Sequence, residues 1–99
     1  MDVQFQAIHF DADQKLIDFI NERLSKLNLF YDQIIGSEVF LRLDKSDRNL
    51  NKTVEIKLNI PGKELFAKKQ CRTFEEATDE VVDALRRQIK KHKGKHLVK

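Results

Sequence analysis

Residues 53–60, "TVEIKLNI", alternate without a break: Val54, Ile56, Leu58 and Ile60 face one way, and Thr53, Glu55, Lys57 and Asn59 the other. Successive strand side chains point to opposite faces, so this segment predicts a strand with one buried face and one wet face. Pro61-Gly62 follows at once. Proline fixes φ at the first central residue of a tight turn, and glycine permits positive φ at the second. "KELFAKKQ", residues 63–70, then returns with Leu65 and Ala67 inward and Lys69 on the same side, at the end of the core. A hairpin of this kind needs further strands and a cover for its apolar face.

The rest of the chain supplies both. Val3 to Phe10 begins as an alternating strand, and the pattern breaks at Ala7-Ile8, where a bulge is expected. "SEVFLRLD", residues 37–44, alternates with Val39, Leu41 and Leu43 on one side, and a polar connection runs from Asp44 to Lys52. Between these strands, Leu16, Phe19, Ile20, Leu24 and Leu27 recur at helical spacing, with Asp11 or Asp13 as N-cap. Arg23 and Lys26 lie beside that stripe, on the flank of Phe19.

A second helix opens at Thr73, with Glu76 three residues on in capping-box spacing. Phe74, Ala77, Val81, Leu85 and Ile89 form its stripe. Gly94 marks the expected stop, with residues 94–99 a flexible tail. The order is β-α-β-β-β-α, an α+β fold. Two helices pack on one face of a four-stranded sheet whose first two strands are parallel neighbours. The 99 residues make one domain.

Charge is distributed unevenly. Residues 1–85 hold 12 basic and all 16 acidic side chains, whereas residues 86–99 hold 7 basic and none acidic. Glu75, Glu76, Asp79, Glu80 and Asp83 occupy the first half of the last helix, and Arg86, Arg87, Lys90, Lys91 and Lys93 the second. That polarity complements the helix dipole, but the dipole acts over about one turn and the basic run spans two. Arg86/Lys90 and Arg87/Lys91 are like-charge i,i+4 pairs, with nothing acidic after Asp83 to offset them. Such a segment suits an external polyanion. Lys68, Lys69 and Arg72 form a second basic cluster, read either as solvated strand end or as additional RNA contacts.

Other chemistries find little support. Cys71 is the one cysteine, with no activating His–carboxylate pair near it in sequence, and it reads as a packing thiol. His92 and His96 are four apart but lack a third ligand, so no metal site is expected; His92 is instead an additional RNA contact. Tyr31-Asp32 reads as loop packing, with RNA contact the alternative, and His9 as structural or exposed. No nucleophile–base–orienter set, glycine-rich phosphate loop or cofactor motif is present, and no enzyme is expected. The N-terminus lacks a signal-peptide pattern and no apolar run approaches membrane length, so a cytoplasmic protein is expected. Neither helix-turn-helix nor zinc-finger spacing occurs, which favours RNA over duplex DNA.

"KLNLFYDQI" (Lys26 to Ile34), the alternating strands and "RRQIKKHKGK" (Arg86 to Lys95) together resemble the ribosome hibernation promoting factor family. That family includes the ribosome-associated inhibitor A proteins and is also described as sigma-54 modulation proteins. The resemblance runs over nearly the entire chain, and its most specific piece is Arg87-Gln88-Ile89 followed by Lys91-His92-Lys93. It implies a fold like the double-stranded RNA-binding domain. It further implies binding to rRNA in the mRNA and tRNA channel of the small ribosomal subunit, around the A and P sites, which silences idle ribosomes. Carried over, the rRNA-facing residues are Arg23, Lys26, Arg87, Lys91 and Lys93. Charge and helical position add Arg86, Lys90 and Lys95.

Two departures stand out. The last helix opens Thr73-Phe74-Glu75-Glu76-Ala77-Thr78-Asp79, matching the family pattern at Ala77 and Asp79, and Ala84 replaces a common lysine. The sequence resembles the short form, so ribosome dimerisation would need a separate factor. The expected partner is thus the small subunit, its rRNA and ribosomal proteins, with no membrane, small-molecule substrate or cofactor. The alternatives are a protein–protein regulator of sigma-factor type and a generic double-stranded RNA-binding module.

Overall fold

A computed structural model of the chain describes residues 1–45 and 49–97, the last three of these by backbone alone. Its elements are β1 (Asp2–Ile8), α1 (Gln14–Phe30), β2 (Gly36–Leu43), β3 (Lys52–Ile60), β4 (Lys63–Cys71) and α2 (Phe74–Leu97). The expected β-α-β-β-β-α order is present, in a sheet of order β1-β2-β3-β4. β1 pairs parallel to β2, and the other two pairings are antiparallel.

Register decides which side chains share a face. Val39, Ile56 and Ala67 lie opposite one another across three strands, as do Ser37, Leu58 and Leu65. All six are buried, and the same face meets both helices. α1 contributes Leu16, Ile20, Leu24 and Leu27, while α2 contributes Ala77, Val81, Leu85 and Ile89. Fully burying one such leucine or isoleucine stabilises by about 1.5–3 kcal/mol. The opposite sheet face carries Phe40, Glu55, Lys57 and Phe66, which stay partly or fully exposed.

Local chemistry sets the ends of elements. Asp13, rather than Asp11, caps α1: its Oδ1 accepts from the Leu16 N–H at 2.9 Å. Thr73 Oγ1 accepts from the Glu76 N–H at 3.0 Å and opens α2. Gly62 has φ +76°, as a type II turn requires after Pro61. The Gln88 amide donates to the Phe66 carbonyl at 2.8 Å, covering part of the β4 edge.

Three local expectations are corrected. β1 shows no bulge; its register with β2 runs unbroken to Ile8–Arg42, and the chain leaves the sheet at His9, whose φ is 73°. Lys69 shares the parity of the core but is exposed at the sheet's end. Gly94 does not stop α2, which continues to Leu97. One helical glycine costs only about 1 kcal/mol relative to alanine.

Candidate nucleic-acid interface

β4 runs parallel to β1 and β2, so the two helices that return across the sheet run parallel to each other, side by side. This sets the second half of α1 along α2 from Asp79 to Lys93. Phe19, Arg23, Lys26 and Phe30 follow i, i+4, i+7 and i+11 and line one flank of α1. The Arg23 guanidinium lies 4.3 Å from the Phe19 ring centroid. Its Nε donates to Asp79 Oδ1 of α2, and its Nη1 to Glu22 Oε1, both at 2.8 Å. The Asp79 hydrogen bond is the main cause holding Arg23 further toward its charged form, against a smaller cost of burial. Lys26 Nζ stands 3.5 Å from Glu22 Oε1.

The cations of α2 divide into two rows. Arg86, Lys90 and Lys93 share the flank toward α1 by helical spacing. Arg86 Cζ lies 4.6 Å and Lys93 Nζ 4.7 Å from the Phe30 ring centroid. A ring face attracts cations, so Phe30 gathers two positive groups that would otherwise repel. A groove of about 400 Å³ runs between the helices, with Arg23 and Lys26 on the α1 wall and Asp79, Asp83 and Arg86 on the α2 wall. Arg87 and Lys91 form the second row, exposed and away from the core. Asp83, the last acid before the basic run, offsets one of its charges: Arg87 Nη1 donates to Asp83 Oδ2 at 2.8 Å, an i,i+4 pair looking upstream.

Phe30 was not singled out by sequence reasoning, although its seven-residue spacing from Arg23 was the available signal. Lys95, expected in the same cluster, and His96 lie outside the described side chains. Lys68, Lys69 and Arg72 are exposed; the two lysines lie in the second half of β4, and Arg72 stands beside the start of α2. Along α2, the 21 residues from Arg72 to Lys93 correspond to about 32 Å. Arg72 is therefore remote from Lys93, whereas Lys68 stands two residues from Phe66, whose carbonyl accepts from Gln88, the neighbour of Arg87. His92 meets the Tyr31 ring edge to face, with centroids 6.3 Å apart.

Cys71 is buried and hydrogen-bonded, its Sγ 3.0 Å from Glu80 Oε2. Burial, then the Glu80 carboxylate, push its thiol up to about 12. Among the described residues, Cys71, Glu76 and Glu80 are the group whose ligand atoms approach within 4.8 Å of one another. A thiol held protonated by that carboxylate is a poor nucleophile, in keeping with a packing role. No helix among the described residues is long and apolar enough to cross a membrane.

Known proteins share this architecture. The chain is 34% identical over 95 residues to a ribosome hibernation promoting factor of Pseudomonas putida, covering 96% of this chain and 89% of that one. The fold superposes on a ribosomal subunit interface protein from Coxiella burnetii with a TM-score of 0.85 at 19% identity, over 95% of this chain and 99% of that one. It superposes on the N-terminal domain of Thermus thermophilus Protein Y with a TM-score of 0.79 at 20% identity, over 93% and 99%. The sequence pattern of one family matches residues 3–97, nearly the whole length. With that span and the Pseudomonas relative together, the chain belongs to the family described as Sigma 54 modulation protein / S30EA ribosomal protein.

Proposed function

We propose that this protein is a ribosome hibernation factor that binds small-subunit rRNA in the mRNA and tRNA channel, around the A and P sites, and silences idle ribosomes. The observation that carries the proposal is the placement of cations from both helices on one side of the molecule. Arg23 and Lys26 face Arg86 across one groove, and Arg87 and Lys91 continue the charge along α2. Family membership and the name of the Pseudomonas relative support the ribosome as partner. Phosphates dominate such binding, and each neutralised phosphate releases counterions, so affinity should fall steeply with salt.

In this reading Arg23, Lys26, Arg86, Arg87, Lys90, Lys91 and Lys93 contact rRNA phosphates, and Lys95 extends the run. Phe30 holds Arg86 and Lys93 beside the groove with their outer donors available. Lys68, Lys69 and Arg72 form a secondary contact. A protein of this kind works where ribosomes are, in the cytoplasm, and performs no chemistry on its partner.

Co-sedimentation with purified small subunits tests the proposal. Wild type should pellet with subunits at low salt and dissociate as salt rises. Arg87→Glu/Lys91→Glu, with unchanged circular dichroism, should remain in the supernatant. Free wild type at low salt, or equal binding by the folded variant, contradicts the mechanism. Retained binding to free duplex RNA without subunit binding would favour a generic RNA-binding module instead.

A further inference from the structure

We propose that the cleft where α1 ends beside α2 is a pocket for one unstacked nucleotide of a single-stranded RNA, a site that shares Lys93 with the phosphate-binding row of Arg86 and Lys90. The inference rests on the RNA-binding reading above and adds base recognition to it. The cleft has a volume of about 570 Å³, within the usual range for small-ligand sites. Its lining combines the rings of Phe30, Tyr31 and His92 with Pro61 from the β3–β4 turn and the ammonium of Lys93. Leu29 also borders it and is 86% exposed, an aliphatic group that the fold leaves in water at the opening.

The chemistry of the lining selects the occupant. Tyr31 and His92 are perpendicular, at 90°, and so make a corner rather than a closed stack. A planar base entering that corner gains an aromatic face, and single-stranded RNA is the form that can offer one, because duplex bases are already stacked. Lys93 supplies the charge for the attached phosphate. Lys90 and Arg86 continue from it along the same flank and give the chain's next phosphates a path. Asp32 also lines the cleft, and its carboxylate can only accept hydrogen bonds. It repels phosphate and suits an exocyclic amino group such as that of cytosine. Base toward Asp32 and phosphate toward Lys93 is therefore the orientation that the charges allow.

Tyr31 is the single tyrosine in a chain without tryptophan, so its fluorescence reports this cleft directly. Titration of the intact protein with hexacytidylate RNA should quench that emission saturably. Lys93→Ala should raise the half-saturating concentration about tenfold, as expected for loss of a charged contact. Lys15→Ala, an exposed lysine at the start of α1 and about 22 Å along that helix from Phe30, should leave it within about twofold of wild type. A blunt duplex RNA of equal length should bind without quenching. Absence of quenching by hexacytidylate, equal quenching by the duplex, or equal loss in the two lysine variants would overturn the pocket. Subunit co-sedimentation of the same preparation separates the two proposals. Pelleting without quenching overturns the pocket alone, whereas quenching without pelleting supports the pocket and overturns the ribosomal role.

Discussion

Arg23 on α1 and Asp79 on α2 are joined by a 2.8 Å hydrogen bond that spans the groove between the helices. With Glu22 on a second nitrogen and Phe19 beneath the plane, the guanidinium is held at a fixed angle before any partner arrives. An exposed pair of this kind contributes little to stability. Its value is in the position of the remaining donors. Asp79→Asn should therefore leave the denaturant midpoint nearly unchanged while the Arg23 Nε proton loses protection in low-temperature NMR spectra. A large fall in midpoint, or an unaltered Nε signal, would show that the pair does something else.

Phe30 should matter more for binding than for folding. Phe30→Leu keeps an apolar group between the helices but removes the face on which Arg86 and Lys93 rest. Each exposed cation–π contact contributes about 0.5–1 kcal/mol. Subunit affinity should fall roughly fivefold at moderate salt, measured by a filter-binding titration, while the fold persists. Unchanged affinity would remove Phe30 from the interface.

Leu85 sits at the centre of the α2 stripe and is fully buried. Leu85→Ala deletes packed methyl groups and leaves a cavity, at a cost of about 2–5 kcal/mol. Urea unfolding should show a lower midpoint with the same m-value. A loss below about 1 kcal/mol would mean that the site collapses to fill the space.

Cys71 provides a pH test. Its folded-state thiol titrates at about 12 and its unfolded value is about 9. A raised folded pKa contributes stability that is fully present below the unfolded value and lost as pH rises toward the folded one. Between about pH 9 and 12 the stability of wild type should therefore decline more steeply than that of Cys71→Ala. Alkylation by iodoacetamide at pH 8 should also be at least about tenfold slower than for a free thiol, since the thiolate is the nucleophile. Parallel pH profiles, or rapid alkylation of the folded protein, would contradict the buried, carboxylate-bonded thiol.

What was legible in the sequence was local. The alternation of Val54 to Ile60, the turn at Pro61-Gly62 and the Thr73–Glu76 spacing are each encoded within a few residues, and each formed as expected. The helix that runs past Gly94 is a case of propensity yielding, since a single glycine is a weak stop once the helix is otherwise favourable. Contacts between helices were harder to see. Arg86 and Lys93 meet Phe30 only because α1 and α2 run side by side, and no local pattern encodes a partner 56 or 63 residues away. The Asp83–Arg87 pair was within reach at i,i+4, but it lies upstream of the basic run rather than after it. The separation of Arg72 from Lys93 follows from helix length, because Arg72 precedes the acidic start of α2; Lys68 is nearer the basic half only through the packing of β4 against Gln88.

The salt dependence of binding to purified small subunits tests the central claim most directly. Log affinity plotted against log salt concentration should fall linearly for wild type, with roughly 0.7–0.9 of slope per phosphate contacted. Arg87→Ala/Lys91→Ala should retain the fold and reduce that slope by roughly 1.4–1.8, the equivalent of two contacts. A wild-type affinity indifferent to salt, or a double variant with the wild-type slope, would contradict the account.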